Sequence, residues 1–211
     1  MARRVGGVRP RWYTGRVFPT TIWTRIGEAG AEDESALEDF AVRYRPAVLE
    51  FIQRRGFSGN AADDLCQDVF LRVLRGGVLA KADPGRGRFR SLLATITMHV
   101  LHDHLRKRRE VPSLLPDVAA APEDFDHAWA LNLTARALDQ LREQGSPYFD
   151  VLTAHLAGNK PSRNRLWIAR RKLAALIRQE IAKTCATPAD AEEELAHLRP
   201  YLRPPSQERP T

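Results

Sequence analysis

Cysteine is scarce in this chain: Cys66 and Cys185 are the only two in 211 residues, far apart and without ligand-like neighbours. That spacing supports neither a disulfide framework nor a zinc site, and it suits a reducing compartment such as the cytoplasm. Long apolar runs are missing too. The longest, Ser91 to Leu101, is interrupted and falls short of the roughly 20 residues that a membrane-spanning helix needs, so no membrane anchor is expected. Acidic side chains are absent from the first 25 residues, which are rich in arginine. Trp12, Pro10 and Pro19 interrupt that stretch and leave it no continuous apolar core, so it reads as a basic arm and not as a targeting peptide. Glycine-rich phosphate loops, nucleophile elbows and paired carboxylates are also lacking. A non-enzyme without cofactor or metal is the expectation.

What is present is basic and helical. A net charge of +7 and an isoelectric point near 9.9 favour an acidic partner such as nucleic acid, and the basic residues cluster instead of spreading. No stretch alternates with the period of a strand, while apolar residues recur at three and four positions throughout. The spacing therefore predicts an all-α fold of two small helical bundles joined by a Pro/Ala-rich linker. The divisions are a basic N-terminal arm over 1–34, a first helical domain over 35–110, a linker over 111–121, a second helical domain over 122–186 and a C-terminal tail over 187–211.

The first helix follows Ser35-Ala36-Leu37-Glu38, which has the form of a capping box, and runs to about Arg55, with Gly56 as its stop. Pro46 lies inside it. A proline there removes a backbone donor and crowds the preceding turn, which predicts a kink or a break. Next comes an acidic helix, capped from Ser58-Gly59-Asn60, with Cys66, Val69, Phe70 and Val73 on one face and Asp63, Asp64, Gln67, Asp68 and Arg72 on the other. Asp63 and Asp64 are expected in its first turn, where the helix dipole favours negative charge. A long helix from about Arg88 to Arg109 is apolar at Phe89, Leu92, Leu93, Ile96 and Val100 and ends in the basic cluster Arg106 to Arg109. One acidic helix beside one basic helix implies two different partners.

Past the linker, Pro122-Glu123-Asp124 opens a helix carrying Phe125, Trp129, Leu131, Leu133, Leu138 and Leu141, ending near Gly145. A short helix from Pro147 to Leu156 follows. Pro161-Ser162 then opens a long one that displays Arg163, Arg165, Arg170, Arg171 and Lys172. An acidic piece, Ala189 to Leu198, comes last. Its run Glu192-Glu193-Glu194 either folds back onto a basic helix or forms a solvated face, the plainer reading.

Residues 62–72, of the form Asp-Leu-x-Gln-Asp-x-Phe, together with Arg88-Phe89-Arg90-Ser91-Leu92-Leu93 and the ending Asp103-His104-Leu105-Arg106-Lys107, resemble bacterial RNA polymerase sigma factors of the extracytoplasmic-function type. Tyr44 with Pro46 upstream, and Ala169-Arg170-Arg171-Lys172-Leu173 downstream, are similar to that family's first helix and the tail of its last. The resemblance covers roughly residues 35 to 185 and implies a sigma factor that directs core RNA polymerase to promoters and aids their opening. Under it, Asp64, Gln67 and Asp68 contact the clamp helices of the largest polymerase subunit, flanked by Leu71 and Arg72. Arg88, Arg90, Arg106, Lys107, Arg108 and Arg109 hold promoter phosphates, a contact that makes affinity salt-dependent. Phe89 either stacks on a flipped base or packs in the core. An anti-sigma protein is a further partner open to such a factor.

Two departures from the family stand out. Met98-His99 replaces the usual Arg-Asn pair in the promoter-melting helix, leaving His99 as the DNA-facing candidate there. Between Gly158 and Ala169 the chain is also short by about one helix of the expected helix-turn-helix. Arg163, Asn164 and Arg165, with Arg170 behind them, are still the right chemistry for a groove, either by base readout or by plain phosphate contact. His99, His102, Asp103 and His104 lie close enough on one helix to suggest metal ligands, but no matched fourth ligand accompanies them. A stand-alone DNA-binding regulator, or a polymerase-binding adaptor without promoter specificity, are the competing readings.

Overall fold

The computed structural model describes residues 34–75, 89–108, 121–185 and 187–202. Seven α-helices and no strand occur among them: α1 (Glu34–Gln53), α2 (Gly59–Arg75), α3 (Phe89–Lys107), α4 (Ala121–Glu143), α5 (Pro147–Leu156), α6 (Arg163–Ala182) and α7 (Pro188–Leu198). The all-α expectation holds. The basic arm, most of the linker, Arg88 and Arg109 lie outside the described residues.

Pro46 sits within α1, yet the helix is continuous. A proline at that position leaves the carbonyl of Val42 without its usual i+4 donor. Nη1 of Arg136 on α4 donates to that oxygen at 3.4 Å, and Nδ2 of Asn132 donates to the next carbonyl, of Arg43, at 2.8 Å. The acceptors that proline orphans or loosens are thus served by a neighbouring helix, and the expected break does not occur. Gly56, at φ 88°, closes the turn after α1 in the left-handed region where glycine carries no steric penalty.

Helix α2 buries Cys66, Val69 and Val73 of the predicted apolar stripe, together with Ala62 and Leu65, all at most 1% exposed, and leaves Phe70 half-buried. Phe70 packs edge-on against Phe40 with ring centroids 5.4 Å apart. The helix begins at Gly59, so Asp63 and Asp64 fall in its second turn and not its first. Burial pushes the Cys66 thiol up to about 11, consistent with its place as a small core residue.

Helix α3 is sandwiched, with α2 on one side and α4 on another. Consequently it buries residues nearly all round: Leu93, Ala94, Ile96, Thr97, Met98, Val100, Leu101 and Leu105. Thr97 keeps its hydroxyl satisfied by donating to the carbonyl of Leu93 at 2.7 Å. Met98 is fully buried, so the departure from the family's usual pair at 98–99 puts an apolar side chain into the core.

The described helices share one buried cluster that runs from Phe40 to Leu198. Helix α4 is the reason. It packs on α1 and α3 as well as on α6, inserting Trp129 flat against Tyr44 (centroids 4.9 Å apart, planes 10° apart) and Phe125 against Phe51. An aromatic pair in this offset-stacked range adds to what its buried area contributes. Leu131, read from the sequence as part of the apolar face, points outward and is 46% exposed. Helices α5, α6 and α7 carry side-chain caps at Ser146, Ser162 and Thr187, the last a full capping box with Asp190.

Candidate functional site

The apolar stripe of α2 faces the core, so its opposite side is presented to solvent. Asp63, Asp64, Gln67, Asp68 and Arg72 are exposed there and Leu71 is half-buried at the edge. The arrangement brings together all five residues assigned to a polymerase contact. Asp63 is partnered by Arg45 of α1 at 2.6 Å; Arg72 reaches across to Asp103 of α3 at 2.8 Å.

Toward the C-terminal end of α3, Arg106 and Lys107 are exposed, as is Arg108 just beyond it, and His99 is exposed two turns earlier on the face of Arg106. These candidates for DNA contact are therefore accessible. Arg88 and Arg109 lie outside the described residues, as does the side chain of Phe89.

Arg90 does not share this exposure, which corrects its assignment as a phosphate contact. Its side chain is 4% exposed; Nε donates to Asp126 of α4 and Nη1 to Glu194 of α7. His197 Nε2 lies 2.5 Å from the second oxygen of Asp126. A guanidinium enclosed by two carboxylates has no free face for a phosphate. Sequence spacing could not reveal this, because the carboxylates come from positions 36 and 104 residues away. The acidic run of α7 splits accordingly: Glu194 is buried on Arg90, whereas Glu192 and Glu193 face solvent.

Between α2 and α3 lies a shallow groove whose two ends, about 400 and 470 Å³, share Arg72 and Asp103 as a common wall. One end is lined by His99, His102 and Arg106, the other by Asp68, Leu71, Val100, His104 and Lys107. Asp103 accepts from both Arg72 and Arg106, and those two hydrogen bonds hold its carboxyl below the usual range. This bridging role went unrecognised in the sequence, where Asp103 was noticed only as part of the basic ending and of the histidine cluster. Its carboxylate is engaged by two guanidiniums.

The second set of DNA candidates stands at the start of α6, where Arg163, Asn164 and Arg165 are exposed just past the Ser162 cap. Arg170 is exposed one turn further, with Nη2 3.0 Å from Nε2 of His155. Trp167 (54% exposed) lies under the guanidinium of Arg171 at 4.7 Å, an aromatic that sequence reading passed over. Helix α5 leads into α6 through 157–162, with no helix between them.

Acids and an amide are thus shown on one helix and a basic end on the next. Residues 40–111 match the family described as Sigma-70 region 2, and the resemblance to sigma factors drawn from the sequence holds. Over a longer stretch the chain is similar to the RNA polymerase sigma factor CarQ of Myxococcus xanthus, 34% identical over 120 residues that make up 54% of this chain and 64% of that relative. The match thus spans a little less than two thirds of the relative's length. No solved structure gives a significant match. Among the described residues no helix is long and apolar enough to cross a membrane.

Proposed function

We propose that the chain is a sigma-type transcription initiation factor. Asp64, Gln67 and Asp68 of α2 dock on core RNA polymerase, at the clamp helices of its largest subunit, with Leu71 and Arg72 flanking the contact. His99, Arg106, Lys107 and Arg108, continued by Arg88 and Arg109, engage promoter DNA and favour opening by capturing unstacked bases. The observation that carries this reading is the exposure of Asp64, Gln67 and Asp68 on a helix whose other face is buried, inside the segment that matches sigma-70 region 2. Polar side chains on such a rigid helix are positioned for a partner at little cost in ordering.

The test is to change Gln67 and Asp68 to lysine and measure binding of the full chain to core polymerase. Reversing the charge of this face is expected to abolish binding; undiminished affinity would remove the claim.

A second reading has its own observation. Between α5 and α6 lie only residues 157–162, so Arg163, Asn164 and Arg165 have α5 packed beside their helix but not the further helix that the resemblance leads one to expect. This favours a polymerase-binding adaptor whose promoter choice rests on the first domain alone. Run-off transcription by reconstituted holoenzyme on matched templates, with and without a cognate upstream element, separates the two. A regulator that acts on DNA without polymerase would give no polymerase-dependent product.

A further inference from the structure

Asp103 stands where the two proposed contact surfaces meet. Its Oδ2 accepts from Nη1 of Arg72 on α2 at 2.8 Å, and its Oδ1 accepts from Nη2 of Arg106 on α3. Both guanidiniums remain substantially exposed, at 48% and 69%, and the groove they border is open. Two guanidiniums from separate helices thus aim N–H donors at a pair of acceptor oxygens, and the same donors suit the two free oxygens of a phosphodiester. Here a carboxylate of the chain itself occupies that position.

Its neighbours strengthen the comparison. His99 and His102 line one side of the opening, and Nε2 of His102 is buried without a partner; Lys107 lines the other side. Asp68 is the other acidic residue lining the groove, at its far end. Ion pairs as exposed as these hold weakly in water, so a phosphate arriving with its own charge and released counterions can displace the carboxylate.

We propose that Asp103 is an internal stand-in for a nucleic-acid phosphate, which holds Arg72 and Arg106 together in the free chain and restrains their affinity for DNA of arbitrary sequence. Asp103 is then a specificity-determining residue: non-promoter duplex must displace it for the gain of a backbone contact alone, whereas promoter DNA brings further contacts along α3. This inference rests on the reading that the basic end of α3 faces DNA. It also gives Arg72, assigned to the polymerase face, a share in the DNA track.

The experiment measures binding of the full chain to a random-sequence duplex by fluorescence anisotropy over a series of salt concentrations. Asp103→Asn is expected to tighten binding several-fold at low salt and to steepen the slope of log affinity against log salt by about one, the signature of one more neutralised phosphate. Asp103→Ser, which leaves no amide in the groove, is expected to do the same, and Asp103→Glu to restore the wild-type slope. Arg106→Gln is expected to weaken binding and flatten the slope. If Arg106→Gln weakens binding while both uncharged variants at 103 match wild type, or bind more weakly, the stand-in role is overturned and the DNA reading of α3 survives. If Arg106→Gln and Asp103→Asn are both without effect, the basic end of α3 is not a DNA surface and both readings fall together.

Discussion

Arg43 on α1 donates to Glu180 on α6 at 3.2 Å, joining residues 137 positions apart inside the core, where the Glu180 side chain is fully buried. Arg136 (2.8 Å) and Gln140 (2.6 Å) from α4 and Lys183, which caps the C-terminal end of α6, complete the shell around that carboxylate. The matched first segment is thereby fastened to the helices that follow it. Burial pushes the Glu180 carboxyl up, but the hydrogen bonds from Lys183 and Arg136 outweigh it and hold the group at about 2, against an ordinary 4.5.

Glu180→Gln removes the charge that three cations share and leaves Arg43 buried with a weaker partner. Breaking a buried ionic cluster in this way costs about 3 kcal/mol. Since the folded-state value lies below the unfolded one, the contribution is fully present above about pH 4.5 and is lost as pH falls toward 2. Urea denaturation across that window should show the wild type losing stability steeply and the variant changing less.

Arg90→Gln separates the structural role found for Arg90 from the phosphate contact that the sequence suggested. Asp126 and Glu194 would lose the guanidinium they share, and a loss of about 3 kcal/mol is expected. The salt slope of DNA binding, measured below the variant's melting temperature, should stay at its wild-type value. A slope shallower by about one would return Arg90 to the DNA surface.

Neutralising Arg106, Lys107 and Arg108 together should weaken DNA binding at every sequence tested and reduce the salt slope by up to about three. All three are exposed, so little change in thermal stability should accompany it. Retained slope would place the DNA track elsewhere.

Trp129→Ala removes the ring stacked on Tyr44 and opens a cavity where α4 meets α1. Deleting a buried aromatic of this size costs about 3–5 kcal/mol. Because α4 touches α1, α3 and α6, one cooperative transition at a lower midpoint is expected on thermal unfolding followed by near-ultraviolet circular dichroism. Two separated transitions would mean that the two segments fold as independent units.

Much of this architecture was legible from local pattern. The stripe Cys66, Val69, Val73 obliged α2 to turn Asp64, Gln67 and Asp68 outward, since helical period couples the two faces. Proline, serine and threonine at the starts of α5, α6 and α7 marked their boundaries through capping chemistry that acts over three residues. That Pro46 does not split α1 was not legible, because a donor to its orphaned carbonyl comes from Arg136, ninety-four positions away.

By itself the sequence determined the helices, their polar and apolar faces and the basic end of α3, which follow from periodicity and short-range spacing, while its motifs carried the resemblance to sigma factors. Tertiary structure decided which charges are available. Arg90 and Arg106 look alike in the chain, on the same helix and equally basic; only the packing of α4 and α7 over the start of α3 encloses the first between Asp126 and Glu194 and leaves the second at the groove beside Asp103. The physical reason is that a guanidinium's role depends on its solvent and its partners, and both come from distant parts of the chain.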